Sequence, residues 1–427
     1  MRLPNWLGDG VMSTPCIELL LTHFPNARLC LIAPKSILEL FSADSRIYAC
    51  FEDTTKQSKN RLKATWQLGR AIRSKLECKG GIDIAITLTN HFYSALLLYA
   101  CGSRVRIGYK RGIGNMLLTH KLAKERELHQ VESYVRLLDL LPQTKSKKLD
   151  SSLKATIPSL RLCVAPKQIV ESKPLRIGLN PGAAYGSAKC WDKEHYARVG
   201  AHFVALGAEV VIYGVEADRK LAEEIIASID SALGEQCGSV VDFVEGTTTK
   251  VANLCHKAQS PHSSTANPRI LEEKSQAQGK NQTTLESKKL DSSFLASLQA
   301  TTKQKPTLAP TIINACGQTT IPTLLQELQA LDLFITNDSG SMHIATALEV
   351  PMVAIFGPTN MTETAPWQAK NCILLNLKLP CAPCKKRVCP LGHHKCMKDL
   401  HPEIVLQAAH KLLDTHQASS NQAQTLD

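Results

Sequence analysis

The chain has 427 residues, of which 44% are hydrophobic and 21% are charged. This composition excludes a wholly disordered protein, and the length predicts two domains of about 150 residues with some chain left over. Lysine and arginine number 50 against 38 aspartates and glutamates, which gives a formal charge of +12. The excess favours an anionic partner, such as a nucleotide, a phosphorylated lipid, a membrane surface or nucleic acid, without choosing among them.

Signals for a membrane span or for secretion are missing from the sequence. Its longest apolar runs, such as residues 94–101, are far shorter than the ~18 residues that suggest a membrane span. The first ten residues lack the apolar core of a signal peptide. The fifteen cysteines are an odd number and mostly stand singly in apolar segments, so we predict reduced thiols and a cytoplasmic location.

The first 150 residues alternate strand-like and helical patterns. Two near-continuous apolar runs, at residues 27–33 and 82–88, predict buried parallel strands, and residues 105–109 are a further predicted strand. Two stretches have helical spacing: residues 63–76 and 130–141. Because this alternation is typical of βαβ units, we predict an N-terminal α/β domain at residues 1–150.

A second α/β domain is predicted at residues 175–415, after a linker at 151–174 and before a flexible tail at 416–427. Its predicted strands are residues 175–180, 209–213, 311–315, 333–336 and 350–356. Its predicted helices are residues 193–206, residues 323–331 and a helix that begins near residue 342. Residues 257–310 contain no Val, Cys, Met, Trp or Tyr, so we expect a disordered insertion there.

The segment NWLGDGVMSTP, residues 5–15, places a carboxylate between two glycines. Gly8 and Gly10 flank Asp9, and we expect a helix to start near residues 13–15, which would leave Asp9 in a loop. A carboxylate in a glycine-containing loop is well placed to meet substrate as a general base. The alternative is that Asp9 only caps a turn.

Two further segments follow predicted strands and have the character of anion sites. In NPGAAYGSAKCW, residues 180–191, small residues expose backbone N–H groups and Lys189 adds a charge, although an ordinary loop with a solvated lysine is the alternative. In LFITNDSGSMHIATA, residues 333–347, a strand meets a helix at Asp338 and Ser339. His343, in the first turn, can donate to a phosphate or be a structural histidine. The FGPTN segment, residues 356–360, would edge the same crevice.

Four cysteines fall within sixteen residues near the C-terminus: Cys381, Cys384, Cys389 and Cys396. Four thiolates suit a structural zinc ion, although the spacing is not that of a standard zinc finger. An iron–sulfur cluster, free thiols and a labile disulfide are the alternatives. The same region, residues 378–398, has six basic and no acidic residues, and this local charge could rest against anionic lipid head groups.

Together, the NWLGD, NPGAAYGSAKCW and NDSGSMHIATAL–FGPT segments resemble the ADP-heptose:lipopolysaccharide heptosyltransferases, glycosyltransferase family 9. The resemblance covers residues 1–250 and 311–415 and is strongest to the branch that adds the second heptose. It implies the GT-B fold, in which two Rossmann-like domains with doubly wound parallel sheets face each other across a cleft. It also implies inverting transfer of L-glycero-D-manno-heptose from ADP-heptose to the first heptose of the lipopolysaccharide inner core, at the inner membrane surface.

The resemblance implies a role for each matching residue. Asp9 would deprotonate the acceptor hydroxyl, Lys189 would contact the donor diphosphate, and Glu216 would lie near the ribose or heptose. The donor sugar and phosphates would be held by Asp338, Ser339, Gly340 and His343. No cofactor would be required for catalysis, since a lysine and a helix N-terminus can stabilise the leaving phosphate.

Two features depart from the family pattern. Only three residues precede Pro4, where relatives have a full strand, and the insertion at residues 257–310 is unusually long. Three other functions stay open: addition of a different core heptose, a sugar-nucleotide 2-epimerase of similar fold, and a zinc-braced basic module that binds nucleic acid or lipid. The last leaves the Asp9 and Asp338 segments unexplained, so we expect no nucleic-acid partner.

Overall fold

The computed structural model describes 1–77, 80–125, 127–142, 157–164, 174–233 and 311–415 with side chains, and the backbone alone of 240–244, 247–250, 283–284 and 416–424. The chain divides into two compact units. Unit 1 comprises Met1–Pro166, Thr346–Leu348 and Met361–Trp367, and unit 2 comprises the rest. The linker predicted at 151–174 lies mostly outside the described residues and stays a prediction.

Unit 1 is an α/β unit with parallel strands. Its strands are β1 (Leu29–Ala33), β2 (Ile47–Glu52), β3 (Ile84–Ile86), β4 (Val105–Tyr109) and β5 (His120–Leu122). Its helices before residue 142 are α1 (Leu7–Met12), α2 (Thr14–His23), α3 (Lys35–Leu38), α4 (Arg61–Glu77), α5 (Phe92–Ala100) and α6 (Gln130–Val135). Strand β1 pairs with β2, and β4 lies between β3 and β5.

The first three residues of the chain join these two sheets. Arg2 forms parallel bridges to Ile32 of β1 and to Thr87, directly after β3. Its side chain is buried and pairs with Asp53 at 2.7 Å. The short segment before Pro4 therefore lies between β1 and β3 and pairs with both through isolated bridges.

Unit 2 contains one large sheet and the helices that cover it. The strands are β6 (Arg176–Asn180), β7 (Glu209–Ile212), β8 (Val240–Val244), β9 (Thr247–Lys250), β10 (Thr283–Thr284), β11 (Thr311–Asn314), β12 (Leu333–Asn337), β13 (Met352–Ile355) and β14 (Cys372–Leu375). The helices of unit 2 are α7 (Lys193–Ala205), α8 (Arg219–Leu233), α9 (Ile321–Gln329), α10 (Gly340–Ala347, whose last two residues group with unit 1), α12 (Lys395–Lys398) and α13 (Pro402–Gln424). Between α10 and α12 in the chain, helix α11 (Met361–Thr364) belongs to unit 1.

The strand order of this sheet is β10-β14-β13-β12-β6-β7-β11-β8-β9, and all pairs except β8–β9 are parallel. Strands β12 and β13 are buried along their whole length, as expected for a parallel sheet covered on both faces. The predicted doubly wound α/β architecture is therefore confirmed. Residues 257–310, predicted to be disordered, lie outside the described residues except for the two-residue strand β10, which pairs with β14.

Most predicted strands and helices of both units are confirmed within two or three residues. The exception in the motif regions is the N-terminal segment, because α1 begins at Leu7 and contains Asp9. None of the helices among the described residues is long and apolar enough to cross a membrane.

Candidate functional site

The carboxyl ends of β6 and β12 mark the centre of the candidate site in unit 2. From β6 the chain proceeds to β7 on one side, whereas β12 lies on the other side, so the strand order reverses between β6 and β12. In open parallel sheets, this switch point is where loops diverge and leave a crevice for a ligand. The two predicted anion-binding segments, 180–191 and 333–347, begin at these two strands.

A network of short polar side chains connects the two strand ends. The Asn180 Nδ2 atom donates to Ser339 Oγ at 3.0 Å and also to Ser341 Oγ. The two serine hydroxyls are 2.8 Å apart, and Thr336 Oγ1 lies 3.2 Å from Ser339 Oγ. Because these bonds cross between β6 and the start of α10, they fix the helix N-terminus, where unpaired N–H groups favour an anion.

Asn337, the last residue of β12, anchors the 180–191 loop. Its Oδ1 atom accepts from the Trp191 backbone N–H at 3.2 Å and from the Tyr196 hydroxyl at 3.1 Å. Its Nδ2 atom donates to Pro181 O at 2.8 Å. Asn337 is fully buried, so these bonds satisfy polar groups that have no access to water. Both ends of the loop that carries Lys189 are thus attached to one side chain.

Lys189 and Asp338 form an ion pair at the centre of the site. The Lys189 Nζ atom lies 2.7 Å from Asp338 Oδ2 and 3.1 Å from the Asp338 carbonyl oxygen. Their side chains are only 13% and 5% exposed, respectively. The ammonium also lies 4.9 Å from the centre of the Tyr185 ring. The sequence named both residues as donor-binding candidates, and the structure brings them into direct contact.

The tip of the 180–191 loop packs against the cysteine-rich segment. The Ala188 N–H donates to Arg387 O at 3.0 Å, and a Cβ atom at Gly186 would collide with the same carbonyl. His394 Nε2 lies 2.9 Å from Ala188 O. These contacts leave no space for a side chain at Gly186, which explains why a glycine is required there.

The other predicted donor residues of unit 2 lie in different surroundings. His343 is 3% exposed in the first turn of α10, next to Gly340 and the serine network in sequence. Glu216 follows β7, and its 73% exposed side chain pairs with Arg219 at 3.3 Å. Asp218, which sequence reasoning missed, lies against Gly182 at the start of the Lys189 loop. Glu216 is therefore an exposed carboxylate at the strand ends, whereas Asp218 contacts the loop itself.

Asp9 of unit 1 lies in a helix and not in the loop that the sequence predicted. Helix α1 includes both flanking glycines, and a Cβ atom at Gly10 would stand 3.1 Å from the Ile37 side chain. Gly10 thus lies where α1 packs closely on α3, and the loop interpretation was wrong. Tyr134 Oη donates to Asp9 Oδ1 at 2.9 Å. Burial, together with the neighbouring carboxylate, raises the pKa of Tyr134 well above its usual value, so its hydroxyl keeps its proton.

The four clustered cysteines line one cavity, which Ala188 and Pro358 also border. All four are free thiols. Burial and then the three neighbouring sulfurs raise the pKa of Cys396 to about 11. In their present positions, no three or more Cys, His, Asp or Glu side chains of the described residues are arranged so that they could hold a metal ion. The four thiols therefore line the same cavity, but their sulfur atoms do not converge on a single point as the ligands of a bound metal ion would.

Sequence reasoning did not identify several residues that build the site. Asn180 and Asn337 lie within the two predicted anion-binding segments, and Tyr134 lies in the predicted helix at residues 130–141, but the sequence did not indicate what any of them does. Their signal was available in part, since an asparagine that ends a buried strand must find partners for its amide. The partners themselves are 125 to 161 residues distant in the chain, and spacing does not reveal such contacts.

Comparison with known proteins gives a consistent result. The family model described as glycosyltransferase family 9 (heptosyltransferase) matches residues 66–241 and 272–395. Lipooligosaccharide heptosyltransferase 2 of Campylobacter jejuni (strain 81116) is 29% identical over 96% of this chain and 98% of its own length. Lipopolysaccharide heptosyltransferase 2 of Salmonella typhimurium is 24% identical over 96% and 97%.

The solved structure of Escherichia coli ADP-heptose lipopolysaccharide heptosyltransferase II has a TM-score of 0.63 and 22% identity, and the match covers 97% of this chain and 98% of that one. This likeness confirms the predicted GT-B fold. The family model leaves residues 242–271 unmatched, an interval that overlaps only the first part of the predicted insertion at 257–310.

Proposed function

Because the chain belongs to glycosyltransferase family 9, the heptosyltransferases, we propose that it transfers heptose from ADP-heptose to the first heptose of the lipopolysaccharide inner core, with inversion. Relatives named heptosyltransferase 2 that match nearly the whole chain support this choice of acceptor. Within the structure, the observation that carries the proposal is the Lys189–Asp338 pair at the switch point of the large sheet.

The ADP-heptose donor binds at this switch point. Lys189 and the N-terminus of α10 offer positive charge and N–H donors to the diphosphate, and Ser339 and His343 add donors on the same helix end. Before the donor binds, the charge of Lys189 is balanced by Asp338. The diphosphate then shares this ammonium, and the Asp338 carboxylate becomes available to hydroxyl groups of the heptose. Glu216, exposed at the end of β7, is the candidate for the ribose or heptose hydroxyls.

Asp9 acts as the general base on the acceptor. It removes the proton from the attacking hydroxyl while that oxygen bonds to the anomeric carbon, and the bond from this carbon to the ADP oxygen breaks on the opposite face. Tyr134 holds one carboxylate oxygen in place through a 2.9 Å hydrogen bond. The leaving diphosphate is stabilised by Lys189 and the helix N-terminus, so the proposed chemistry requires no catalytic metal.

The acceptor is carried by a lipid, and we propose that the enzyme reaches it from the cytoplasmic side of the inner membrane. The support is residues 378–398, where all six basic side chains are exposed: Lys378, Lys385, Lys386, Arg387, Lys395 and Lys398. Val388 and Leu391 in the same segment are 68% and 61% exposed. Basic residues near an anionic surface each contribute about 1 kcal/mol, and exposed apolar residues add to this attraction. The free cysteines fit a reducing compartment.

A co-sedimentation experiment with vesicles tests the membrane proposal. Vesicles of phosphatidylglycerol and phosphatidylethanolamine should bind the protein at low salt, and replacement of Lys385, Lys386 and Lys398 by alanine should release it. Replacement of three exposed lysines of unit 1, Lys59, Lys63 and Lys75, is the matched control. Unchanged binding after the first replacement would remove residues 378–398 as the contact surface.

The transfer activity is tested by ADP release with defined acceptors. Purified protein is incubated with ADP-heptose and a lipid acceptor that bears one core heptose, and release is expected only when that acceptor is present. Turnover on an acceptor without heptose, or only on one that already carries two, would assign the enzyme to a different core position. Acceptor-independent conversion of the sugar nucleotide would contradict a transferase and favour the epimerase alternative.

A further inference from the structure

The cysteine-rich segment forms a small structure of its own beside the donor site. Cys381, Cys384, Cys389 and Cys396 face one cavity, although they are spread over sixteen residues with almost no regular secondary structure. None of them forms a disulfide. Chain folding has therefore gathered four soft ligands without linking them to one another.

A tight turn follows Cys389 and leads to Leu391, His393 and His394, which line the same cavity. The Gly392 N–H donates to Cys389 O at 3.2 Å, which closes this turn. Gly392 and His394 have positive φ angles of 69° and 53°, values typical of tight turns. The turn therefore returns the chain to the cavity that Cys389 shares with the other three cysteines.

The chemistry of the segment selects among metals. Residues 378–398 contain no aspartate or glutamate, so hard cations such as Mg²⁺ and Ca²⁺ find no carboxylate ligands there. His394 Nε2 is occupied by Ala188 O at 2.9 Å. His393 also lines the cavity, and its Nδ1 atom accepts from the Lys395 N–H at 3.0 Å. The four sulfurs suit a tetrahedral ion of the zinc type. The surrounding lysines and arginine would offset the net negative charge of four thiolates with one Zn²⁺.

The segment also holds the loop that carries Lys189. Arg387 O accepts from Ala188 N–H at 3.0 Å, and Lys385 O accepts from the Tyr185 hydroxyl at 2.8 Å. The Lys385 N–H donates to Pro358 O at 2.7 Å, which ties the segment to the end of β13 as well. A change in the conformation of residues 385–394 would therefore also move Tyr185 and Ala188, which flank Lys189 in the loop.

We propose that Cys381, Cys384, Cys389 and Cys396 bind one Zn²⁺ as four thiolates, and that this ion fixes residues 378–398 so that they hold Lys189 in its donor-binding position. Closure on the metal requires rotation of the cysteine side chains into the cavity and release of their four thiol protons to solvent. The metal site depends only on the cysteines, whereas its effect on Lys189 rests on the proposed function. Lys189 is the residue that touches the donor, and the zinc site is a positioning element.

The metal content of the full-length protein is the first test. We expect about one zinc per chain by elemental analysis after reconstitution with ZnSO4 and dialysis. Cys384→Ser and Cys396→Ser should each lower this value at least fivefold, whereas Cys50→Ser, an exposed cysteine of unit 1, should leave it unchanged. Less than half an equivalent of zinc in the wild-type protein, one equivalent of iron in its place, or a disulfide among the four cysteines would overturn the proposal.

A second measurement covers the case in which the serine variants do not fold. Wild-type protein reconstituted with Co²⁺ should show the visible absorption bands of a tetrahedral cobalt thiolate site. Extraction of the zinc with a mercurial reagent should release one equivalent of metal, and the number of thiols that react with a disulfide reagent after mild removal of the metal should increase by four. Octahedral cobalt spectra, or a thiol count that does not change, would contradict the four-sulfur site.

ADP binding tests the positioning role separately. Removal of the zinc, or Cys384→Ser, should weaken ADP about tenfold, the scale of one lost charge-assisted hydrogen bond, with a smaller effect on kcat at saturating donor. Lys189→Met should remove most of this difference between the metal-loaded and metal-free forms. Zinc binding without any effect on ADP would overturn the positioning role alone. Absence of ADP binding in every form would contradict the proposed function while the zinc result stands.

Discussion

The Tyr134 hydroxyl donates a 2.9 Å hydrogen bond to the Asp9 carboxylate, across 125 residues of sequence. Tyr134 is 2% exposed, and its phenol is held in its protonated form. A buried donor of this kind restricts the rotation of the carboxylate in α1. The candidate base is therefore fixed in orientation by α6, which distinguishes it from a surface aspartate that only caps a helix.

Replacement of the candidate base should abolish turnover and preserve donor binding. Asp9→Asn keeps the shape of the side chain but cannot accept a proton, so we expect kcat to fall by about 10²- to 10⁴-fold. The dissociation constant for ADP should change less than twofold, because Asp9 belongs to unit 1 and the donor residues to unit 2. Asp83→Asn, at an exposed ion pair of unit 1, is the control. Wild-type turnover in Asp9→Asn would remove the base assignment.

Loss of the Tyr134 hydroxyl should also lower kcat, but by less than replacement of Asp9. In Tyr134→Phe the carboxylate loses its fixed partner, and we expect kcat to fall about tenfold while the KM for the donor is unchanged. Tyr109→Phe is a matched control, since this buried tyrosine of the same unit donates to a backbone carbonyl at Ser133. An equal loss in both variants would show that the effect is structural.

Neutralisation of Lys189 should weaken donor binding. We expect Lys189→Met to raise the dissociation constant for ADP by about 10- to 100-fold and that for AMP much less, because the lysine acts on the diphosphate. Lys189→Arg should recover part of the affinity. The variant also leaves the buried Asp338 carboxylate without its partner, so thermal stability is measured in parallel. Lys193→Met, at an exposed ion pair, serves as control, and equal ADP affinity in both methionine variants would refute the role.

A buried histidine and its half-buried partner should make unit 2 less stable in acid. His202 of α7 and His410 of α13 face each other with their Nε2 atoms 2.8 Å apart. Burial lowers the pKa of His202 from 6.5 to about 4, and burial also lowers the pKa of His410. The folded protein thus favours the neutral form of both histidines. Above pH 6.5 both histidines are neutral in the folded and the unfolded chain, so they do not reduce the free energy of unfolding there. The free energy of unfolding decreases as the pH falls from 6.5 towards 4, because the unfolded chain binds more protons than the folded protein in this range.

For His202 alone, this loss amounts to roughly 2 to 3 kcal/mol of the free energy of unfolding. Chemical denaturation at pH 7.5 and pH 5 measures it. The double variant His202→Leu, His410→Leu should show a smaller difference between the two pH values than the wild-type protein, whereas His120→Leu, at an exposed position of unit 1, should not. The same pH difference in the double variant would assign the acid sensitivity to other groups.

Local patterns in the sequence were sufficient to predict most of the fold. The apolar run at residues 27–33 was predicted as a strand and forms β1, because a buried parallel strand is apolar along almost its whole length. Strand β2 (Ile47–Glu52) was not predicted, although five of its six residues are hydrophobic; only its burial alternates, between half-buried and exposed positions. The glycines around Asp9 suggested a loop, whereas both lie in helix α1, and Gly10 stands close to Ile37 of α3. A glycine in sequence does not distinguish these two uses.

The candidate site was predicted in part, since Lys189, Asp338 and Ser339 all lie at the switch point. What the sequence did not predict is how these residues are held. The bonds of Asn337 to Trp191 and of Ala188 to Arg387 join segments that are 146 and 199 residues apart. Such contacts are set by the order of strands in the sheet, and that order is a property of the whole fold.

The close contact between Gly186 and the Arg387 carbonyl oxygen also limits how this part of the protein can move. Because the two backbones touch, with Ala188 bonded on both of its sides, residues 185–189 cannot swing outward while residues 385–394 stay in place. The two segments should open and close as one cooperative unit, and their amide hydrogens should exchange with solvent at similar rates. The rates at which the nucleotide enters and leaves would then depend on the joint opening of residues 185–189 and 385–394, and not on the motion of the 185–189 loop alone.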